Sequence, residues 1–155
     1  MKSEPHEFSI DDLKRKKRWH WDGVRGYEAR NIMRDKMHTG DQVIFYHSSV
    51  TPAGAAGIAK IVSLPYPDPT QFQKTSPYYD PTSTKNNPRW VMIDVEFVKQ
   101  FARLITRVEM KHATGLEEMV LWKKFGLSIT PLTKQEFDII AQLDGNSAST
   151  SMQPP

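Results

Sequence analysis

Five consecutive basic side chains, Lys14-Arg15-Lys16-Lys17-Arg18, run directly into Trp19-His20-Trp21. Cations at this density neutralise phosphates, and indole faces stack on bases. Arg25, Arg30 and Arg34 add charge on or beside the segment that follows. The combination points to a nucleic acid as partner. The plainer reading is a solvated helix end followed by two core tryptophans. A formal net charge of +3 and a pI of about 9.1 lean weakly the same way.

Other chemistries find less support. His47-Ser48-Ser49 sets an imidazole beside two hydroxyls, but adjacent strand residues face opposite sides, so His47 cannot readily serve Ser48 as a base. His47 and Ser49 share a face, yet no carboxylate is placed to orient the ring, and there is no G-x-S-x-G elbow. The five histidines, His6, His20, His38, His47 and His112, form no H-x-x-x-H pair. Cysteine is absent, which excludes a thiol nucleophile, disulfides and Cys-ligated metals. Neither a Walker A nor a G-x-G-x-x-G is present, and Gly54-Ala-Ala-Gly57 reads as a hairpin turn. No catalysis, metal or cofactor is expected.

The elements that would position these residues follow from periodicity and capping. Lys2-Ser3-Glu4-Pro5 opens as the end of a short strand. Ser9 and Asp12 form a capping box ahead of a helix over Asp11–Lys17. Trp19–Gly23 reads as a loop. A second helix is expected over Gly26–Met37, with Ala29, Ile32, Met33 and Met37 inward and Tyr27, Arg30, Asn31 and Arg34 outward. Gln42–Ser48 is apolar on both faces, as in a strand buried on both sides. Ile58–Leu64 should pair with it as a hairpin. Trp90–Val98 alternates cleanly as a strand. Helices are expected over Ile105–His112 and Leu116–Lys124, then a short strand at Leu127–Ile129. Thr133 and Glu136 cap a last helix.

Without regular βαβ alternation, the fold class is α+β with a mostly antiparallel sheet. The 155 residues suit a single domain over residues 1–144, followed by a polar tail, 145–155, expected to be disordered. No apolar run reaches the ~18 residues of a membrane span. The N-terminus lacks the pattern of a signal peptide, so an intracellular site, cytoplasmic or nuclear, is expected. Pro65–Pro88 is unusual: six prolines and four aromatics, Tyr66, Phe72, Tyr78 and Tyr79, in one long loop. Its rings either anchor it to the core or line a site.

Several stretches, taken in order, resemble the EVE domain family. They are Lys2-Ser3-Glu4-Pro5, the run from Trp21 through Asn31, Gly40-Asp41 with Phe45-Tyr46-His47-Ser48, Tyr66-Pro67-Asp68, Tyr78-Tyr79-Asp80-Pro81, Pro88-Arg89-Trp90 and Leu127–Pro131. The resemblance covers about residues 2–143. Two departures stand out: Ser49 replaces the Asn that often follows His-Ser, and only Met1 precedes Lys2, where the family usually has further apolar strand residues.

The resemblance implies a PUA-like bent β-barrel with helices packed around it, related to the YTH domains that read methylated adenine. It implies a non-enzymatic reader of modified bases in DNA or RNA. A small-ligand sensor using the same pocket without nucleic acid is the second reading. The implied pocket has Lys2, Ser3 and Glu4 on the base edge and Trp21 as one aromatic wall. Asn31 lies in the helix behind that wall, Val24 and Arg25 are further ligand-binding candidates, and His47, Ser48 and Ser49 sit at a strand end. The other wall would come from the long loop, with Tyr78 and Tyr79 as candidates and Tyr79 taken as the ligand residue. Lys14, Arg15, Lys16, Lys17, Arg18 and Arg30 would contact the nucleic-acid backbone.

Overall fold

The computed structural model describes residues 1–150, with side chains through residue 145. Its strands are β1 (Lys2–Ser3), β2 (Arg18–Trp21), β3 (Gln42–His47), β4 (Gly54–Ile61), β5 (Tyr66–Pro67) and β6 (Val91–Thr106). Its helices are α1 (Ile10–Lys16), α2 (Tyr27–Asp35), α3 (Arg107–His112), α4 (Val120–Lys123) and α5 (Lys134–Thr150). The sheet runs β1-β3-β4-β6-β2, with β5 added to β6. Only β1 against β3 is parallel, with Lys2 opposite Tyr46 and Ser3 opposite His47.

Strand β3 organises the core. Val43 and Phe45 face Leu13, Trp21, Met33 and Ile93 on one side, under α1 and α2. Ile44 and Tyr46 face Phe101, Ile105, Met110 and Ile140 on the other, under α3 and α5. A central strand covered on both sides was legible from its continuous apolar run. Both capping boxes are present. Asp12 N donates to Ser9 Oγ and Ser9 N to Asp12 Oδ2; Glu136 N donates to Thr133 Oγ1 and Thr133 N to Glu136 Oε2.

Several expectations change. Trp19–Gly23 is not simply a loop: Arg18–Trp21 is β2, paired antiparallel with β6 so that Trp21 lies opposite Ile93. Four residues hold only two periods of alternation, too few to stand out from the basic run before them. Gly54–Gly57 is not a turn but the start of β4. A Cβ on Gly54 would fall on the Ile105 carbonyl of β6, and one on Gly57 would fall on that of Lys99. The glycines serve close approach of two backbones at a bulged pairing, which lets the sheet curl.

Strand β6 runs 16 residues, well beyond Val98, so the helix expected from Ile105 begins at Arg107. The helix expected over Leu116–Lys124 contracts to Val120–Lys123, and Leu127–Ile129 forms no strand. Helix α5 continues through Thr150, past the expected start of the tail; residues 151–155 lie outside the described residues.

Gly57→Ala should lower unfolding stability by ~1–3 kcal/mol, since the obstacle is backbone that cannot rotate away. Gly126, which has open space around its Cα, should tolerate the same change within ~0.5 kcal/mol. Urea unfolding of both variants checks the contrast.

Candidate nucleic-acid interface

The N-terminal residues form one side of the site because they are bonded from several directions. Ser48 N donates to Ser3 O at 2.9 Å, Ser3 Oγ to Phe8 O at 2.6 Å, and Lys2 N to Ser128 O at 2.9 Å. Strand β1 is thereby held between β3 and the segment after α4. A cleft of about 820 Å³ opens between β1, the β2–α2 connection, the long loop and residues 125–128.

The β2–α2 connection is clasped to the long loop through one buried carboxylate. Asp68 is fully buried. Its Oδ2 accepts from Gly23 N at 2.8 Å and Arg25 Nη1 at 3.0 Å; its Oδ1 accepts from Thr70 N at 2.8 Å and Thr70 Oγ1 at 2.5 Å. Arg25 also donates from Nε to Tyr78 O at 2.9 Å and from Nη2 to Thr70 Oγ1 at 2.9 Å. Burial alone would push the Asp68 carboxyl up, but hydrogen bonds from Thr70, Gly23 and Arg25 outweigh it and hold it below the usual carboxylate range. Gly23 has φ +78°, and a Cβ there would lie 2.7 Å from the Tyr78 ring. Glycine therefore lets that ring lie against the backbone at the cleft.

The rest of the loop is equally tied down. Buried Gln71 donates to the carbonyls of Asp68 and Trp90 and accepts from Ser83 Oγ and Trp90 N. Trp90 Nε1 donates to Asp80 Oδ2 at 2.7 Å. The loop's rings are divided between anchorage and the cleft: Tyr66 bonds Asp94, while Tyr78 lines the cleft.

Lys2, Ser3, Glu4, Trp21, Val24, Arg25, Ser48 and Ser49 all line the cleft. Asn31, His47 and Tyr79 do not. Asn31 is exposed on α2 and accepts from Arg30. The ring of His47 turns away: its Nε2 accepts from Ile10 N at 3.1 Å, and burial holds its pKa below the usual imidazole value. The tyrosine at the cleft is Tyr78 rather than its neighbour. Trp21 plays two parts. It lines the cleft, yet it is only 9% exposed and packs edge-on against Phe45 at 5.4 Å. The wall reading and the core reading of this tryptophan therefore coincide, because β2 carries the ring from the sheet to the cleft.

Glu7, Phe8, His20, Asp22, Arg107 and Phe125 also line the cleft and were not anticipated. Glu7 and Phe8 carry a readable signal, following Lys2-Ser3-Glu4-Pro5 at once. Arg107 and Phe125 carry none, since only the tertiary fold brings them there. Lys14, Arg15, Lys16, Lys17 and Arg18 are all exposed. Arg15 pairs with Asp12, Arg18 with Glu96, and the Lys16 ammonium lies 4.0 Å over the Trp19 ring. Trp19 and His20 carry the run to the cleft rim. Arg30 lies away from the cleft, against Tyr27 and the Arg89 carbonyl.

The clasp predicts a pH dependence. Asp68 has a folded pKa below its unfolded value, so its stabilisation is complete above the ordinary carboxylate range near ~4. It disappears as pH falls through the lower folded value. Asp68→Asn should lower stability at pH 7 by ~3–5 kcal/mol, the cost of breaking a buried pair. It should also flatten the acid limb of a stability–pH curve measured by urea unfolding.

The EVE domain family matches residues 1–143. Thymocyte nuclear protein 1 of Homo sapiens is 45% identical, with the alignment spanning 96% of this chain and 74% of that protein. A hypothetical protein from Leishmania major superposes with a TM-score of 0.92 at 44% identity, covering 96% of this chain and 94% of that one. The human THYN1 protein, solved in complex with 5-methylcytosine containing DNA, superposes with a TM-score of 0.86 at 43% identity, covering 100% of this chain and 97% of that one. The α+β architecture of a curled, mostly antiparallel sheet is the one expected, and by sequence and fold this chain belongs to the EVE domain family.

Proposed function

We propose that this chain is a non-enzymatic module that reads a modified base, of the 5-methylcytosine type, in DNA by taking it into the cleft. One observation carries the reading: the chain superposes over its full length on the human THYN1 protein in complex with 5-methylcytosine containing DNA. The composition of the cleft supports it. A base taken out of a stack needs ring surface and polar groups at its edge. Trp21 and Tyr78 supply the rings, each stacked base contributing ~1–3 kcal/mol.

Glu4 and Asp22 place carboxylates in the cleft, where they accept from an exocyclic amine such as cytosine N4. Burial pushes the Asp22 carboxyl up against the opposing pull of His20, so a donor arriving at Asp22 is favoured. The exposed run Lys14–Arg18 contacts backbone phosphate and fixes register without reading sequence. In this role His47 is structural, its ring nitrogen already engaged by α1.

Two variants separate reading from folding. Tyr78→Ala should weaken binding of a 5-methylcytosine oligonucleotide about 5- to 150-fold while shifting the urea midpoint little, since Tyr78 is only partly buried. Trp21→Ala should lose affinity and also ~3–5 kcal/mol of folding stability. Unchanged affinity in folded Tyr78→Ala would remove the cleft from base recognition. Equal binding of the free nucleoside and the oligonucleotide would instead favour a small-ligand sensor.

A further inference from the structure

The cleft carries charges of both signs. Glu4, Glu7 and Asp22 gather around Tyr78, where Arg25, already engaged by Asp68, opposes them. The three carboxylates raise the pKa of the Tyr78 phenol, in addition to the larger effect of its burial. Two further cations of the lining, Lys2 and Arg107, meet at Phe125. Neither has a carboxylate partner among the described residues. Lys2 Nζ donates to the Phe125 carbonyl oxygen at 3.0 Å. The Arg107 guanidinium lies over the rings of Trp122 and Phe125, at 5.3 and 5.4 Å from their centroids. These contacts fix both groups in place and leave their charge uncompensated. Burial lowers the pKa of Lys2, and the field of Arg107 lowers it further, so each cation is held at a cost to the other.

Two fixed like charges facing one cleft are relieved by an anion between them. Ser48 and Ser49, whose hydroxyls bond no other described side chain, line the same cleft. At about 820 Å³ the cleft also exceeds what one flat base needs and leaves room for sugar and phosphate. We infer that Lys2 and Arg107 form a phosphate subsite, which holds the phosphate of the same nucleotide whose base enters between Trp21 and Tyr78. This rests on the base-reading function proposed above. It fixes the direction in which the nucleotide lies: amine edge toward the carboxylates, phosphate toward the cationic pair. It also assigns Lys2 to the backbone rather than to the base edge, where the family resemblance had placed it.

The test uses three probes on the same chain: 5-methyldeoxycytidine, its monophosphate, and an oligonucleotide carrying the base. Wild type should bind the monophosphate ~10-fold or more tightly than the nucleoside at low salt, as a charge-assisted hydrogen-bond pair would provide. Lys2→Gln and Arg107→Gln should each erase most of that gain. Each should also lower the slope of log affinity against log salt for the oligonucleotide by ~0.9. Arg107→Lys should keep the slope, and thermal unfolding of each variant reports its fold. Lys2→Gln alone suffices if Arg107→Gln does not fold.

Oligonucleotide binding with an unchanged slope and an undiminished monophosphate gain in folded variants would overturn the subsite and leave the reader standing. Failure of wild type to bind the methylated oligonucleotide, with no monophosphate gain, would overturn both. A monophosphate gain with no further gain from the oligonucleotide would keep the subsite and make a free nucleotide its ligand.

Discussion

A single buried carboxylate sets the geometry of the cleft. Asp68 has no contact with solvent, so its charge persists only because four donors surround it. Two donors come from the β2–α2 connection and two from the loop itself. Their convergence fixes the distance between segments more than forty residues apart in sequence. Arg25 then extends the arrangement by gripping the Tyr78 carbonyl, which places the tyrosine ring over Gly23. The Tyr78 face of the cleft is thus held by charge and hydrogen bonds, whereas Trp21 is held by the apolar core. That is an organised site before any ligand arrives, and preorganisation lowers the ordering cost of binding.

The opposite side of the cleft is held by the sheet. Strand β3 is anchored by packing on both faces, and its end presents Ser48 and Ser49 beside β1. Close approach of β4 to β6 at Gly54 and Gly57 bends the sheet around this end. One wall therefore depends on hydrophobic burial and backbone proximity, and the other on a polar network. The two respond differently to conditions: acid loosens the Asp68 side first, whereas core truncation acts through β3.

Local signals explain what the sequence disclosed. The capping residues Ser9 and Thr133, the two-sided apolar run of β3 and the helical face of Ala29 and Met33 depend on neighbours in sequence, and all were readable. The glycines at positions 54 and 57 misled because a turn and a tight strand pairing ask for the same residue. Strand β2 was hidden because its partner is some seventy residues away and its four residues carry a mixed message of charge and aromaticity. At the cleft, the ordered motifs marked Lys2, Glu4, Trp21 and Arg25. The choice between Tyr78 and Tyr79 needed the turn geometry of the loop. Arg107 and Phe125 needed the whole fold.

The bond from Lys2 N to Ser128 O joins residues at nearly opposite ends of the domain. Its consequence is temporal. Contacts so distant in sequence cannot form on a growing chain until the later partner has been synthesised, and they close at high loop entropy. A ribosome-bound chain that has not reached residue 128 holds Trp21, Asp68 and Tyr78 but lacks the segment 125–128 that completes the cleft. Recognition is therefore withheld from partial translation products, which leaves a basic nascent segment without the means to select one base among many.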